Sequence, residues 1–204
     1  MKYVLVMLGI AVLYTVLNPV KTGSEKMRLQ KNQKILAFGD SLTYGYGATA
    51  DESYPSVLAR KIGREVINAG INGETSGEGL KRLPKLLDDG EIKLMILCFG
   101  GNDILQKLPM TGLKENLKQM IIIAKRRGIA VLLVSVPNIG LFGLSALPLY
   151  GEVADEMGVP LLSGVLAEIL SEPALKSDQI HPNAAGYRKM AEKIYAKLQE
   201  EMWL

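Results

Sequence analysis

Between residues 34 and 204, short runs of consecutive apolar residues alternate with longer stretches in which apolar residues recur every three or four positions. An uninterrupted apolar run of strand length belongs to a strand covered on both faces, and the three-to-four spacing belongs to an amphipathic helix. The first pattern predicts strands at 35–38, 65–69, 94–99, 129–136 and 159–162. The second predicts helices at 54–62, 77–87, 113–127, 147–157 and 183–200, with Gly63, Gly128 and Gly158 placed as C-terminal stops. This alternation predicts one α/β domain built on a doubly wound, five-stranded parallel sheet. Such a sheet gathers its functional loops at the carboxyl ends of its strands. The polar residues collect there: Gly39-Asp40-Ser41 after the first strand, Asn68 to Gly73 after the second, Gly100-Gly101-Asn102-Asp103 after the third and Pro137-Asn138 after the fourth.

The first 20 residues break the pattern. Residues 3–17 form an uncharged apolar run preceded by Lys2, the form of a secretory signal or a short membrane anchor. A polar linker at 21–33 follows, and one domain of ordinary size spans 34–204. Thr22-Gly23-Ser24 is the best small-x-small cleavage site available and lies late, so an uncleaved anchor is favoured over a cleaved signal. Lys21, Lys26, Arg28, Lys31 and Lys34 all follow the run, a bias that would hold the domain on the cytoplasmic side. The net charge of +3 is spread along the chain, and the basic stretch from Lys21 to Lys34 has no aromatic residues interleaved, so no nucleic-acid partner is expected. The single cysteine, Cys98, lies in an apolar run; it can form no internal disulfide and reads as a small buried hydrophobe rather than a nucleophile.

Candidate chemistry centres on Ser41, set where an apolar strand turns, with Gly39 before it and Gly45 and Gly47 after. Taken alone this is an ordinary turn or helix cap. Its weight changes with Ser177-Asp178-Gln179-Ile180-His181-Pro182-Asn183, where an acid precedes the chain's only histidine by three residues just before a helix. One loop can then hold both. Asp178 accepts the N–H of one imidazole nitrogen and fixes the tautomer, and the other nitrogen is left to take the serine proton. Read structurally instead, His181 is a loop residue and Pro182-Asn183 a helix start. An acyl-transfer site also needs donors for its oxyanion. The candidates are the backbone N–H of Ser41, the backbone N–H of Gly73 and the side-chain amide of Asn102; singly, each of the last two has an equally ordinary role in a turn or cap.

The blocks Gly39-Asp40-Ser41-Leu42, Asn72-Gly73-Glu74-Thr75, Gly100-Gly101-Asn102-Asp103 and Asp178-Gln179-Ile180-His181-Pro182 occur in the order found in the SGNH (GDSL-type) hydrolases. The chain resembles that family from about residue 34 to its C-terminus, and within it the bacterial branch of arylesterases, acyl-CoA thioesterases and lysophospholipases. The resemblance implies a three-layer α/β/α flavodoxin-like fold, a Ser41–His181–Asp178 triad, and an oxyanion hole from Ser41, Gly73 and Asn102. It implies a serine esterase acting on carboxylic esters or thioesters through an acyl-Ser41 intermediate; the apolar run at 3–17 makes a membrane-anchored or exported domain the expectation, with the periplasmic side favoured and a cytoplasmic-facing orientation the alternative. The sequence departs at Asn72, where serine is common, and at Glu74, where aspartate is common, both expected to alter the neighbourhood of the acyl group.

Residues 137–149 are apolar and rich in glycine and proline, and Ile139, Leu141 and Phe142 are the candidate lining of an acyl pocket; packing over the sheet would explain the same residues. Short- to medium-chain acyl or aryl esters are therefore preferred to acetylated polysaccharide. One histidine and no cysteine pair supply no metal-ligand set, and no metal or other cofactor is expected. The alternatives are a carbohydrate O-acetylesterase of the same family and a non-catalytic, membrane-tethered binding domain.

Overall fold

The computed structural model describes residues 28–140, 143–145 and 147–204. The apolar run at 3–17 lies outside them, and no helix among the described residues is long and apolar enough to cross a membrane. In chain order the elements are β1 (Lys34–Gly39), α1 (Ser41–Tyr44), α2 (Tyr54–Ile62), β2 (Val66–Gly70), α3 (Ser76–Leu86), β3 (Ile92–Cys98), α4 (Gly101–Leu105), α5 (Met110–Arg126) and β4 (Ala130–Val134). There follow a hairpin of β5 (Asn138–Gly140) and β6 (Gly143–Ser145), then α6 (Pro148–Met157), β7 (Leu161–Leu162), α7 (Val165–Ser171) and α8 (Ala184–Glu200).

The five strands of the main sheet are parallel, in the order β2-β1-β3-β4-β7. This is the flavodoxin-like order expected from the family resemblance. From β1 the chain first winds to β2 and then reverses towards β3, β4 and β7. Right-handed crossovers in opposite directions put their helices on opposite faces. Accordingly α2, α7 and α8 pack together as one layer and α3, α5 and α6 as the other. The central strands read as unbroken apolar runs because both their faces are covered: Ile35, Leu36, Ala37 and Phe38 of β1 are all buried, as are Leu94 to Cys98 of β3. The β1/β3 gap is the point where the winding reverses, and its carboxyl end is where a doubly wound sheet opens a crevice.

Local chemistry fixes the helix starts that matter to that crevice. Thr75 and Glu78 form a reciprocal capping box at the head of α3. Asn183 caps α8 by accepting the N–H of Gly186 at 3.0 Å. Gly39 has no room for a side chain: a Cβ there would stand 2.2 Å from Thr43 Oγ1 and 2.3 Å from the Cys98 carbonyl oxygen. The turn out of β1 can therefore pack directly on β3. Phe38 and Phe99 meet edge to face beneath it, centroids 5.0 Å apart.

Three expectations need correction. Strand 129–136 is shortened to Ala130–Val134, because the chain turns towards the rim at Ser135 and Pro137. The apolar segment after it, for which no strand is predicted, contains the paired strands β5 and β6. The stretch read as linker already packs on the domain at its end: Leu29 is buried, its N–H donates to the Trp203 carbonyl at 2.9 Å, and Arg64 holds the carbonyls of Leu29, Gln30 and Gln33.

Candidate active site

Ser41 is the first residue of α1, directly after β1. Asp40 caps this short helix, its Oδ1 accepting the Leu42 N–H at 3.0 Å. The cap leaves the Ser41 N–H without a protein acceptor among the described residues. The Ser41 hydroxyl lies 3.0 Å from His181 Nε2, and His181 Nδ1 lies 2.8 Å from Asp178 Oδ2. The other carboxylate oxygen of Asp178 accepts the backbone N–H groups of Ile180 and His181, both at 2.8 Å. The i to i+3 spacing thus folds the loop onto its own acid, and the turn carries the imidazole over Ser41. Burial pushes the Asp178 pKa up; the Ile180 N–H, the His181 ring and the His181 N–H outweigh it and hold the carboxyl below the usual range. An ionised Asp178 accepting Nδ1–H leaves Nε2 as the acceptor for the serine proton.

Gly73 follows β2 with φ of +79°, a left-handed conformation that favours glycine, and beyond its chain neighbours no atom of the described residues lies within 4 Å of the position a Cβ would take. Its N–H also engages no acceptor among the described residues. Asn102, in α4 after β3, donates one amide hydrogen to the Glu74 carbonyl at 3.0 Å, which leaves a second for a ligand. Ser41, Gly73, Asn102 and His181 line one cavity of about 220 Å³. The structure therefore brings together on one rim the five residues singled out from the sequence, with Asp178 immediately behind His181.

The rest of the cavity wall is mostly apolar: Leu42, Ile104, Leu105, Val136, Pro137, Leu170 and Ile180. Of the expected lining, Leu141 and Phe142 lie outside the described residues, and Ile139 is described only as backbone in β5. Asn72 does face the cavity. Glu74 does not: its carboxylate turns away to Arg82, which corrects the expectation that it borders the acyl group. Sequence reasoning also missed Tyr46, whose ring lies against His181 with centroids 4.5 Å apart and whose carbonyl accepts the Tyr187 hydroxyl at 2.8 Å. Its only signal was its place five residues after the serine.

Behind Ser41 sits a buried polar layer. Asp103 accepts the Ser76 hydroxyl at 2.6 Å and the Ser76 N–H at 2.9 Å, tying α4 to the head of α3. Asp40 Oδ2 is buried and has no hydrogen-bond partner among the described residues. Burial raises the Asp40 pKa, the Leu42 N–H opposes this, the Asp103 charge adds to it, and the group is pushed up to about 7. Burial likewise pushes the Cys98 thiol well up, in keeping with a structural rather than a nucleophilic cysteine.

Residues 37–189 match the GDSL-like lipase/acylhydrolase family. An arylesterase of Vibrio mimicus is 32% identical over 179 residues, which cover 83% of this chain and 90% of that protein. The thioesterase 1/protease 1/lysophospholipase L1 of Escherichia coli is 31% identical over 172 residues, 81% of this chain and 83% of its own length. Among solved structures, the psychrotrophic esterase EstA from Pseudoalteromonas sp., inhibited by monoethylphosphonate, superposes with a TM-score of 0.73 at 25% identity, covering 82% of this chain and 97% of that one.

Proposed function

The chain belongs to the GDSL-like lipase/acylhydrolase family and is a serine esterase, and on that footing we propose that it cleaves short- to medium-chain acyl or aryl esters and thioesters through an acyl-Ser41 intermediate. The observation that carries this reading is the continuous relay from Ser41 Oγ through His181 to Asp178, at 3.0 and 2.8 Å, opening on an apolar cavity. His181 Nε2 takes the hydroxyl proton as Ser41 Oγ attacks the acyl carbonyl. The negative charge on the carbonyl oxygen is met by the N–H groups of Ser41 and Gly73 and the free amide hydrogen of Asn102. His181 then gives its proton to the departing alcohol or thiol. Water, deprotonated by the same nitrogen, releases the acid and restores Ser41.

The wall of leucine, isoleucine, valine and proline side chains supports an apolar acyl group over an acetylated sugar, since each buried CH₂ contributes about 0.8 kcal/mol, or roughly fourfold in kcat/KM. Nitrophenyl esters of increasing chain length should therefore gain activity from acetate upward until the cavity is filled. A preference for acetyl-sugars over every longer ester would overturn this substrate reading. Ser41→Ala should abolish both hydrolysis and labelling by a fluorophosphonate; retained activity would remove Ser41 from the mechanism. The apolar run at 3–17 supports a domain held at, or exported across, a membrane. Protease accessibility in intact cells against spheroplasts tests which side it occupies.

A further inference from the structure

Arg82 lies on α3 and does not line the catalytic cavity, yet its guanidinium bonds the end of β1, strand β2 and Glu74, and Glu74 in turn holds Asn102. Nε donates to Glu74 Oε1 at 2.6 Å, and Nη2 donates to the other carboxylate oxygen, completing a two-point fork. The same Nη2 donates to the Ala69 carbonyl in β2 at 2.9 Å and reaches the Gly39 carbonyl at the end of β1 at 3.4 Å. Its Cζ stands 4.5 Å from the Phe38 ring centroid, which holds the plane in place.

Glu74 carries the link onward. It is only 8% exposed, and every polar group it has is engaged. Its N–H donates to the Ile71 carbonyl at 3.3 Å, its carbonyl accepts the Asn102 amide at 3.0 Å, and its carboxylate holds Arg82. Gly39 precedes Ser41 by two residues, and Gly73 is the immediate neighbour of Glu74. One planar group is thus bonded to the strand end that leads to Ser41, to the strand that leads to Gly73, and to the residue that holds Asn102.

We propose that Arg82, through Glu74, is a positioning residue that sets the mutual register of the three oxyanion donors. The proposal rests on the oxyanion hole assigned above. Three donors arising from three separate loops must converge on a point where a displacement of about 1 Å costs up to 100-fold in rate. A lysine at 82 would keep a charge but could not span Glu74 and two strand carbonyls with a fixed fork. A charged group with no hydrogen-bonding partner in this place would be costly to bury, so truncation to alanine tests folding more than catalysis.

The test is a double-mutant cycle on kcat and KM for a nitrophenyl ester, with thermal melts of each protein. Arg82→Lys and Glu74→Gln should each lower kcat about tenfold and leave KM within about twofold. Asn102→Ala, which removes one donor, should lower kcat about 100-fold or more. Added to Asn102→Ala, either substitution should cost clearly less than the roughly tenfold it costs alone, because one of the three donors it positions is already gone. If Arg82→Lys does not fold, Glu74→Gln carries the same comparison. Unchanged kcat in Arg82→Lys and Glu74→Gln beside a slow Asn102→Ala, or losses that multiply in full in the double mutants, would overturn the positioning role alone. An Asn102→Ala enzyme with undiminished kcat would instead overturn the oxyanion hole on which the role depends.

Discussion

Asp40→Asn should change how stability depends on pH. The Asp40 carboxyl is buried behind Ser41, with one oxygen on the Leu42 N–H and the other without a hydrogen-bond partner among the described residues, and its charge interacts with those of Asp103, Cys98, Tyr54, Tyr150 and Tyr187. Its pKa rises from an ordinary 3.8 to about 7. Below pH 3.8 the group is protonated in both the folded and unfolded chain. Between that value and about 7 the unfolded chain ionises while the folded chain keeps its proton, so folding loses stability as pH rises. At about 1.36 kcal/mol per pKa unit, the loss accumulates to on the order of 4 kcal/mol and then levels off. Asparagine keeps the helix cap and does not titrate. The difference in unfolding free energy between Asp40→Asn and the unsubstituted protein should therefore grow in favour of the variant by up to that amount between pH 4 and 7.5. Asp178 has a depressed pKa and acts with the opposite sign, losing its stabilisation as pH falls, but it is present in both proteins and cancels. Urea unfolding at half-unit pH intervals measures the difference. A difference that stays flat within about 1 kcal/mol would refute the account of Asp40 as a carboxyl kept protonated by burial.

Asp178→Asn offers an amide to His181 Nδ1 and favours the tautomer whose Nε2 already bears a proton, so kcat should fall by about 10³–10⁴-fold with KM little changed; a loss under tenfold would argue against tautomer control. Gly39→Ala puts a methyl group 2.3 Å from the Cys98 carbonyl oxygen and 2.2 Å from Thr43 Oγ1. It should destabilise the protein by about 3 kcal/mol, lowering Tm by roughly 10 °C, and a Tm within 2 °C or so would show that β1 and β3 can move apart freely.

The central strands β1, β3 and β4 were legible because burial on both faces writes them as unbroken apolar runs, and α2 was legible to its boundaries, Tyr54–Ile62. The hairpin after β4 was not, since strands of three residues leave no period to detect. Helix α7 was missed for two reasons: it has seven residues, and it starts from Gly164 in a left-handed conformation rather than from a serine, threonine or aspartate cap. Helix α4 begins inside Gly100-Gly101-Asn102-Asp103, where two glycines read as loop. The relay was visible because the chain has one histidine with an acid three residues before it. Arg82 was hidden because a charged residue on an amphipathic helix ordinarily faces solvent; its role depends on how the loop after β2 turns Glu74 back towards α3, and no periodicity encodes that turn. Tyr46 depends in the same way on the loop after α1 passing beside His181.

The loop from Ser177 to Asn183 closes on itself, through Asp178 on the N–H groups of Ile180 and His181 and through the Ser177 N–H on the His181 carbonyl at 2.9 Å. Acid and base are therefore one rigid piece mounted on the head of α8, whereas the nucleophile belongs to the sheet. The relay has a single seam, at Ser41 and His181, and the proton crosses it in each half of the turnover. In the proposed mechanism the acid–base pair therefore stays assembled on its own loop through both halves, and only the one contact with Ser41 has to be made between two parts of the fold.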